Sequence, residues 1–204
     1  MVYVYCEGPT DEKAVTHLLR HFVTRNGKQW IDVKIDNLHD APRFLRNIGN
    51  ATNAAISLRA KAVFGVLDLY GATDYRGVKS DVSVRAEHLR QLILKDISPR
   101  FRGRFHFHPA VHELEAWLLA DPGNIASALG SNTGFGPWPN PESVNFNIPP
   151  KRVLSDLWRT RHPRKKAYQG YLDGLRLFQS LDPELVYQTC PCFRAFVDDF
   201  LSTL

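Results

Sequence analysis

The chain has 204 residues, of which 44% are apolar and 23% charged, a composition typical of soluble globular proteins. No apolar run approaches the roughly 18 residues that a membrane-spanning helix needs, so we expect no such helix. The chain opens directly on a β-prone run, and we therefore expect no signal peptide. The three cysteines, Cys6, Cys190 and Cys192, suggest neither an easy disulfide nor a four-ligand zinc site, which favours a reduced, cytoplasmic protein.

The net charge is +5 and the isoelectric point is about 9.2. A charge of this size needs no explanation beyond solubility, because many basic proteins bind no polyanion. The basic residues are nevertheless concentrated, in an alternating Arg100, Arg102 and Arg104 run and in a denser block between Lys151 and Lys166. Basic surroundings around acidic centres favour a metal site beside a polyanion track.

The first 60 residues show two strand–helix pairs. Residues 2–6 predict a buried strand and residues 10–26 its helix, with Thr10 as the N-cap and Asn26-Gly27 as the stop signal. Residues 30–36 alternate apolar and polar side chains, which is typical of a half-buried strand. Residues 41–60 predict a second helix, which Gly49-Asn50 could break.

The next 60 residues repeat this order. Residues 62–67 form a continuous apolar run, typical of a central parallel strand, and Asp68 follows the run directly. A helix is predicted from about Val82 to Lys95, and a strand over residues 104–110. Residues 111–120 predict a strongly amphipathic helix that Asp121-Pro122-Gly123 ends.

The composition changes after this helix. Residues 130–150 are rich in Gly, Pro, Asn and Ser and predict a long ordered loop or lid. Helices are predicted at 151–160, 166–180 and 182–204, the last interrupted at Cys190-Pro191-Cys192. The alternation of strands and helices predicts an α/β fold, with a mostly parallel sheet flanked by helices on both faces. We expect an α/β core over residues 1–125 and a loop plus C-terminal helical appendage, packed on that core, over residues 126–204.

Two carboxylates each follow a buried strand. Glu7 follows the first and Asp68 the third, so they share an edge of the sheet if those strands are neighbours. Asp11 lies one helical turn beyond Glu7 and can point back to the same place. Converging carboxylates repel one another unless a cation joins them, and hard oxygen ligands favour Mg²⁺ or Mn²⁺. Taken singly, Glu7 and Asp68 are equally explained as turn or helix-cap residues, and Asp11 as a first-turn acid.

The segments around Glu7 and Asp68 also resemble motifs of a known group of domains. Glu7-Gly8-Pro9-Thr10-Asp11 resembles the EGxTE or EGxxD opening of Toprim-like domains, and Asp68-Leu69-Tyr70-Gly71 lies where those domains carry their second acidic motif. The chain is similar more specifically to a bacterial Toprim-like family called domain of unknown function 4276. Further matching segments follow in family order: the stretch from His112 to Pro122, Pro141 to Asn145, Pro150-Lys151-Arg152 and Cys190-Pro191-Cys192-Phe193.

The resemblance implies a Toprim-like fold. By analogy with nucleases of the overcoming-lysogeny-defect type, it also implies metal-dependent cleavage of phosphodiesters. Glu7 would then act as a metal ligand or general acid/base, and Asp11 and Asp68 as metal ligands. The sequence departs from the common Asp-x-Asp motif at Tyr70, which cannot replace a carboxylate as a Mg²⁺ ligand.

Other acids are available for the missing carboxylate, namely Asp74, Glu113 and Glu115. His112-Glu113-Leu114-Glu115 lacks the second histidine of HExxH and therefore predicts no zinc protease. Both glutamates could lie on a solvated helix face, but the resemblance favours a catalytic role for Glu113. His112 is more simply explained as a capping or core histidine than as a catalytic one.

The basic block offers contacts for phosphates. Arg161, Arg164, Lys165 and Lys166 lie beside Tyr168 and Tyr171, which suits phosphate contacts with aromatic stacking, although a solvated face explains them too. Lys151 and Arg152 follow Pro149-Pro150 at a predicted helix start, where backbone amides add to an anion site. Arg152 is expected to contact nucleic acid, and Lys151 to neutralise charge in the transition state.

Three functions stay open on these grounds. The first is a Toprim-like, Mg²⁺- or Mn²⁺-dependent nuclease, acting by analogy in phage defence beside an ATPase partner. The chain itself carries no Gly-x-x-x-x-Gly-Lys-Ser/Thr loop for ATP hydrolysis. The second is a non-catalytic module that binds nucleic acid or a partner ATPase, which Tyr70 favours. The third is another phosphotransfer or nucleotide-processing enzyme with the same acids.

Overall fold

A computed structural model describes residues 1–30, 32–69, 81–131, 135–146, 148–161 and 167–204. Within these ranges the sheet has four strands: β1 (Val2–Cys6), β2 (Val33–Asn37), β3 (Ala62–Asp68) and β4 (Phe105–Ala110). The strand order is β2-β1-β3-β4 and every neighbouring pair is parallel. The predicted α/β fold, with a parallel sheet and helices on both faces, is confirmed.

Helices α1 (Pro9–Arg25), α2 (Ala41–Ser57) and α3 (Val82–Asp96) connect the strands. Parallel neighbours require such crossovers, which cover both faces of the sheet. Val2, Val4 and Cys6 of β1 face one hydrophobic core with α1, and Tyr5 faces the other with α2 and α3. The alternation of side chains along the strand therefore divides the interior into two cores.

The predicted second helix is continuous, because α2 passes through Gly49 without the break that Gly49-Asn50 could have caused. A Cβ at this position would lie 2.5 Å from the Cβ of Asp96 in α3, so the glycine lets the two helices approach closely. The helix begins after Asp40, whose carboxylate accepts a hydrogen bond from the Arg43 amide at 2.7 Å. Capping and packing together keep α2 continuous.

The part of the chain after β4 is helical. The structure contains short helices α4 (Glu115–Leu118) and α5 (Pro122–Ala128), of which α5 was not predicted, and the longer α6 (Pro150–Arg161). A 3₁₀ helix at Pro141–Phe146 lies inside the region predicted as a loop, and another, Pro99–Arg104, precedes β4. A π-helical turn at Gly170–Gly174 continues into α7 (Leu175–Ser180), followed by α8 (Pro183–Thr189) and α9 (Pro191–Thr203). The predicted interruption at Cys190-Pro191 is thus confirmed.

Helix α9 packs back on the sheet. Phe196 and Phe200 lie in the same core as Phe64 of β3, and their ring centroids are 6.1 and 5.6 Å from that of Phe64. Asp199 of the same helix accepts hydrogen bonds from His106 Nδ1 and His108 Nε2 of β4, both at 2.8 Å. The C-terminal helices therefore cover the face of the sheet that α1 also covers.

None of the helices in the described ranges is long and apolar enough to cross a membrane.

Candidate functional site

Glu7 and Asp68 lie at the same edge of the sheet. Glu7 directly follows β1, Asp68 ends β3, and these strands pair directly with Tyr5 opposite Gly65. The condition that the sequence left open, that the two strands are neighbours, is therefore met. In parallel α/β sheets this carboxyl edge is where ligands bind.

Asp11 reaches back towards Glu7 from the first turn of α1. Its Oδ2 atom accepts a hydrogen bond from the Gly8 amide at 3.0 Å. The N-cap of α1 is therefore Gly8 rather than the predicted Thr10, because Pro9 already occupies the first helical position. This bond fixes the turn between Glu7 and α1.

Asp68 holds the segment that follows β4. Its Oδ1 atom accepts a hydrogen bond from the Leu114 amide at 3.0 Å. The helix predicted over residues 111–120 is consequently wrong in its first half, because the chain turns at His112, where φ is +72°, and only Glu115–Leu118 are helical. The turn brings Leu114 and Glu115 to the carboxyl edge.

His112 itself lies in the interior, with 1% of its surface exposed. Burial, and secondarily the charge of Arg85, lowers the pKa of His112 to about 4. The ring is therefore neutral at physiological pH. His112 is therefore a core histidine, which is one of the explanations that the sequence allowed.

Glu113 and Glu115 have different positions. Glu113 Oε2 accepts a hydrogen bond from the Lys151 amide at 3.1 Å, in the first turn of α6. The anion site predicted at this helix start is thus occupied by a carboxylate of the chain itself. Glu115 instead lines the cavity at the sheet edge, and its Oε1 lies 3.8 Å from Lys151 Nζ.

The cavity has a volume of about 200 Å³ and is lined by both acidic and basic groups. Glu7, Asp11, Asp68, Glu115 and Lys151 all contribute to its wall. The structure thus brings together every predicted metal ligand and the predicted lysine. Of the predicted catalytic acids, Glu113 lies beside this cavity rather than in its lining.

Gly170 and Tyr171 form the opposite wall of the cavity. A Cβ at position 170 would lie 3.1 Å from Glu115 Oε1, so a glycine lets this segment approach the acid. Tyr171 is 64% exposed at the mouth, whereas Tyr168 is buried with its ring 5.4 Å from that of Trp158. Only Tyr171 of the two tyrosines presents its ring for stacking.

The carboxyl groups of the cavity destabilise one another's charges. Burial, reinforced by the charges of Asp11 and Glu7, raises the pKa of Asp68 well above its usual value. Burial also raises the pKa of Asp11 to about 6, with Glu7 adding to the shift and the Gly8 hydrogen bond opposing it. For Glu7, burial raises the pKa, and the backbone amides of Ala41 and Asp68 partly offset this.

Two further observations bear on cation binding. Glu7 Oε2 is buried and has no hydrogen-bond partner among the described residues, which is uncommon for a buried carboxylate oxygen. In the same ranges, no group of three His, Cys, Asp or Glu residues is arranged to hold a metal ion unaided. The oxygen donors suit Mg²⁺, which usually takes one or two carboxylates and completes its shell with water and substrate phosphates. Tyr70 and Asp74 lie outside the described residues.

Two of the predicted nucleic-acid contacts, Arg152 and Arg161, are among the described residues. Arg152 is exposed on α6 and lies 3.9 Å from Asp156, and Arg161 donates a hydrogen bond to the Ser131 hydroxyl at 2.7 Å. Arg164, Lys165 and Lys166 lie outside the described residues. Of the predicted basic residues that are described, only Lys151 lines the cavity.

The buried carboxylate of Glu142 connects two other segments that carried the family resemblance, its own and Cys190-Pro191-Cys192-Phe193. Glu142 accepts hydrogen bonds from the Cys192 amide at 2.8 Å and the Phe193 amide at 3.2 Å, at the first turn of α9. Cys190 and Cys192 are free, and burial raises the pKa of Cys192 to about 12. The segments Pro141 to Asn145 and Cys190 to Phe193 therefore form one structural contact. The sequence signal for this contact was Glu142, an acidic residue that lies outside every predicted helix.

A family model described as domain of unknown function (DUF4276) matches residues 6–201 of the chain. No curated protein and no solved structure matches the chain. The match begins one residue before Glu7, passes Glu142 and ends inside α9, so it includes both carboxylate sites. The chain therefore belongs to the DUF4276 family.

Proposed function

We propose that this protein is a Mg²⁺- or Mn²⁺-dependent nuclease that hydrolyses phosphodiesters at the carboxyl edge of β1 and β3. The observation that carries the proposal is the cavity in which Glu7, Asp11 and Asp68 lie together with Lys151. Few structural roles require mutually repelling carboxyl groups in one partly buried cavity. A divalent cation relieves that repulsion.

The carboxylates have distinct tasks in this proposal. Asp11 and Asp68 each use one oxygen to accept a backbone amide, which fixes the orientation of the carboxyl group. Glu7 offers the buried Oε2 atom that has no partner among the described residues. These oxygens would hold the ion, whose chemistry when bound is Lewis-acid stabilisation and activation of water. Because at most two acids need to bind, the proposal is compatible with a substrate-completed site.

Lys151 supplies positive charge from the chain. Its side chain is 54% exposed and Glu115 Oε1, 3.8 Å away, holds it at the cavity wall. In this position the ammonium group can bind a phosphate oxygen and stabilise the charge that develops during hydrolysis. Glu115 acts in this scheme as the residue that positions Lys151.

A non-catalytic Toprim-fold module is the second candidate. One observation favours it, namely that no three His, Cys, Asp or Glu side chains in the described ranges are arranged to hold a metal ion by themselves. In that case the cavity binds a phosphate group of nucleic acid through Lys151 and performs no hydrolysis. The two candidates differ in cleavage, not in binding.

We also propose that the nuclease acts in phage defence with an ATPase partner. The support is the resemblance to Toprim nucleases together with the lack of a phosphate-binding GxxxxGK[ST] loop in these 204 residues. Energy from ATP would then come from another chain. Co-purification of the tagged protein from its native host, followed by an ATPase assay, tests this partner.

A cleavage assay tests the nuclease directly. The purified protein is incubated with plasmid, single-stranded DNA and transfer RNA, in Mg²⁺, Mn²⁺ or chelator. We expect metal-dependent cleavage by the wild type and by Glu87→Gln, which changes an exposed carboxylate of α3, and none by Glu7→Gln. Binding without cleavage under every metal condition would support the module instead.

A further inference from the structure

The exposed side of α1 carries a groove that continues from the acidic cavity. A depression of about 360 Å³ lies between α1 and α7 and shares Phe178 with the cavity. A third depression, of about 450 Å³, continues along α1 and shares His17 and Arg20 with the second. We call the last two together the α1 groove; it extends from Lys13 to Arg25.

The α1 groove is basic. Lys13, His17 and Arg20 recur at helical spacing, so they lie on one side of α1 over about 10 Å. No ion pair joins these three side chains to an acid among the described residues. At the far end, His21 and Arg25 are both paired with Glu184, at 2.7 and 2.6 Å. Burial, and secondarily the charge of His21, lowers the pKa of His17, whose ring is therefore a neutral hydrogen-bonding group at physiological pH. The charges of Lys13 and Arg20 make the half nearest the cavity positive.

The acid that lines the groove is already engaged. Glu12 Oε2 accepts a hydrogen bond from Asn37 Nδ2 at 2.6 Å, at the end of β2. Leu175 and Phe178 provide an apolar opposite wall. Where the groove reaches the cavity, the exposed Tyr171 stands at the mouth. A basic track beside an exposed aromatic ring is the usual arrangement for single-stranded nucleic acid.

We propose that single-stranded nucleic acid lies in the α1 groove, with its phosphates on Lys13, His17 and Arg20 and a base stacked on Tyr171. This inference rests on the proposed function, because the strand is placed so that the phosphodiester beyond the α1 groove enters the acidic cavity. It also assigns substrate contacts to α1, which was not predicted from the sequence to be a basic surface. The strand is recognised by its backbone and by stacking, without base-specific contacts.

Binding in the presence of chelator tests the groove separately from cleavage. Labelled 12-nucleotide DNA and RNA single strands are titrated with wild type, Lys13→Gln and Lys13→Gln/Arg20→Gln at several salt concentrations. We expect the double variant to bind at least about fivefold more weakly, and the slope of log affinity against log salt to fall by about 1.4, for two lost phosphate contacts. Tyr171→Ala should weaken binding about fivefold or more while leaving the salt slope unchanged.

The matched control is Lys61→Gln/Lys95→Gln, which removes two exposed charges near the opposite edge of the sheet. We expect its salt slope to equal that of the wild type. Equal losses of affinity in the control and in the groove variants would overturn the proposal. It would also be overturned if the wild type bound polyglutamate, or a duplex of the same sequence, as tightly as it binds the single strand. Thermal unfolding verifies that each variant is folded. The Arg20→Gln substitution loses a cation–π contact with Trp30. If the double variant unfolds for that reason, the single Lys13→Gln variant provides the test.

The two proposals fail in different ways. If Glu7→Gln abolishes cleavage but the groove variants bind normally, the nuclease stands and the groove is not the path of the strand. If the groove variants bind weakly but no metal supports cleavage, the groove stands and the nuclease is refuted. RNA and DNA arms that differ in affinity identify the preferred nucleic acid.

Discussion

Two buried carboxylate sites in this molecule contrast sharply. Glu142 is buried, but each of its oxygens accepts a backbone amide at the first turn of α9. Glu7 is half-buried, yet its buried Oε2 atom has no hydrogen-bond partner among the described residues, and Asp11 and Asp68 lie nearby. Burial raises the pKa of both glutamates. The hydrogen-bond partners of the carboxylate, rather than its burial, distinguish the two sites.

Isosteric exchange at the two sites should therefore affect activity very differently. Glu7→Gln removes a charge that the proposed metal site needs, and we expect cleavage to fall by about a hundredfold or more. Glu142→Gln should leave the specific activity of the folded protein within about twofold, because its carboxylate lies at α9 and not in the cavity. Initial cleavage rates at saturating Mg²⁺ measure both. Similar losses in the two variants would remove the distinction.

Stability should respond in the opposite order. Glu142→Gln places an amide NH₂ against one of the two backbone amides that the carboxylate accepts, which should lower the free energy of unfolding by about 1–3 kcal/mol. For a chain of this size, 2 kcal/mol corresponds to about 4–8 °C in Tm. Thermal unfolding without metal measures the shift. An unchanged Tm would show that α9 does not depend on this contact.

Asp68→Asn should stabilise the metal-free protein while abolishing cleavage. The asparagine Oδ1 can still accept the Leu114 amide, and the substitution removes a charge that Asp11 and Glu7 repel. We expect a gain of about 1 kcal/mol in unfolding free energy at pH 7.5. Chemical denaturation in chelator provides the measurement. A loss of stability would indicate that Asp68 is charged and well satisfied in the fold.

The pH dependence of stability gives a smaller effect of the same origin. The pKa of Asp11 is about 6 in the fold, against an ordinary value of 3.8, so between these values the folded state binds more protons than the unfolded state. The contribution of Asp11 to the free energy of unfolding therefore falls as pH rises from about 4 to about 6. The Asp11→Asn variant should lack this contribution, so its stability should fall less, or rise more, over the same pH range. Equal slopes in the two proteins, measured by denaturation in chelator, would place the titration elsewhere.

Local sequence patterns predicted the elements that depend on local signals. The strands, α1, α3 and the interruption before α9 follow from apolar periodicity, proline and capping residues, and their bounds differ from prediction by a few residues. The parallel α/β topology followed from the alternation of strands and helices, and it allowed Glu7 and Asp68 to share an edge if β1 and β3 were neighbours. The structure supplies that pairing.

Contacts between distant parts of the chain were not predictable in this way. The turn at His112 depends on the Asp68–Leu114 hydrogen bond, which spans 46 residues, and periodicity alone favoured a helix there. Glu142 meets α9 across 50 residues, and Gly170 matters only because Glu115 lies opposite it. The α1 groove was missed because Lys13, His17 and Arg20 are spaced along a helix instead of forming a run.

Binding of Mn²⁺ tests the central claim, that the carboxyl edge of β1 and β3 holds a divalent cation that a phosphate completes. Electron paramagnetic resonance titrations compare wild type, Glu7→Gln and Glu142→Gln, each with and without a cleavage-resistant single-stranded oligonucleotide. We expect the oligonucleotide to tighten Mn²⁺ binding about tenfold in wild type and Glu142→Gln, and neither binding nor tightening in Glu7→Gln. Equal Mn²⁺ binding by wild type and Glu7→Gln, or no binding by the wild type with oligonucleotide present, would contradict the account.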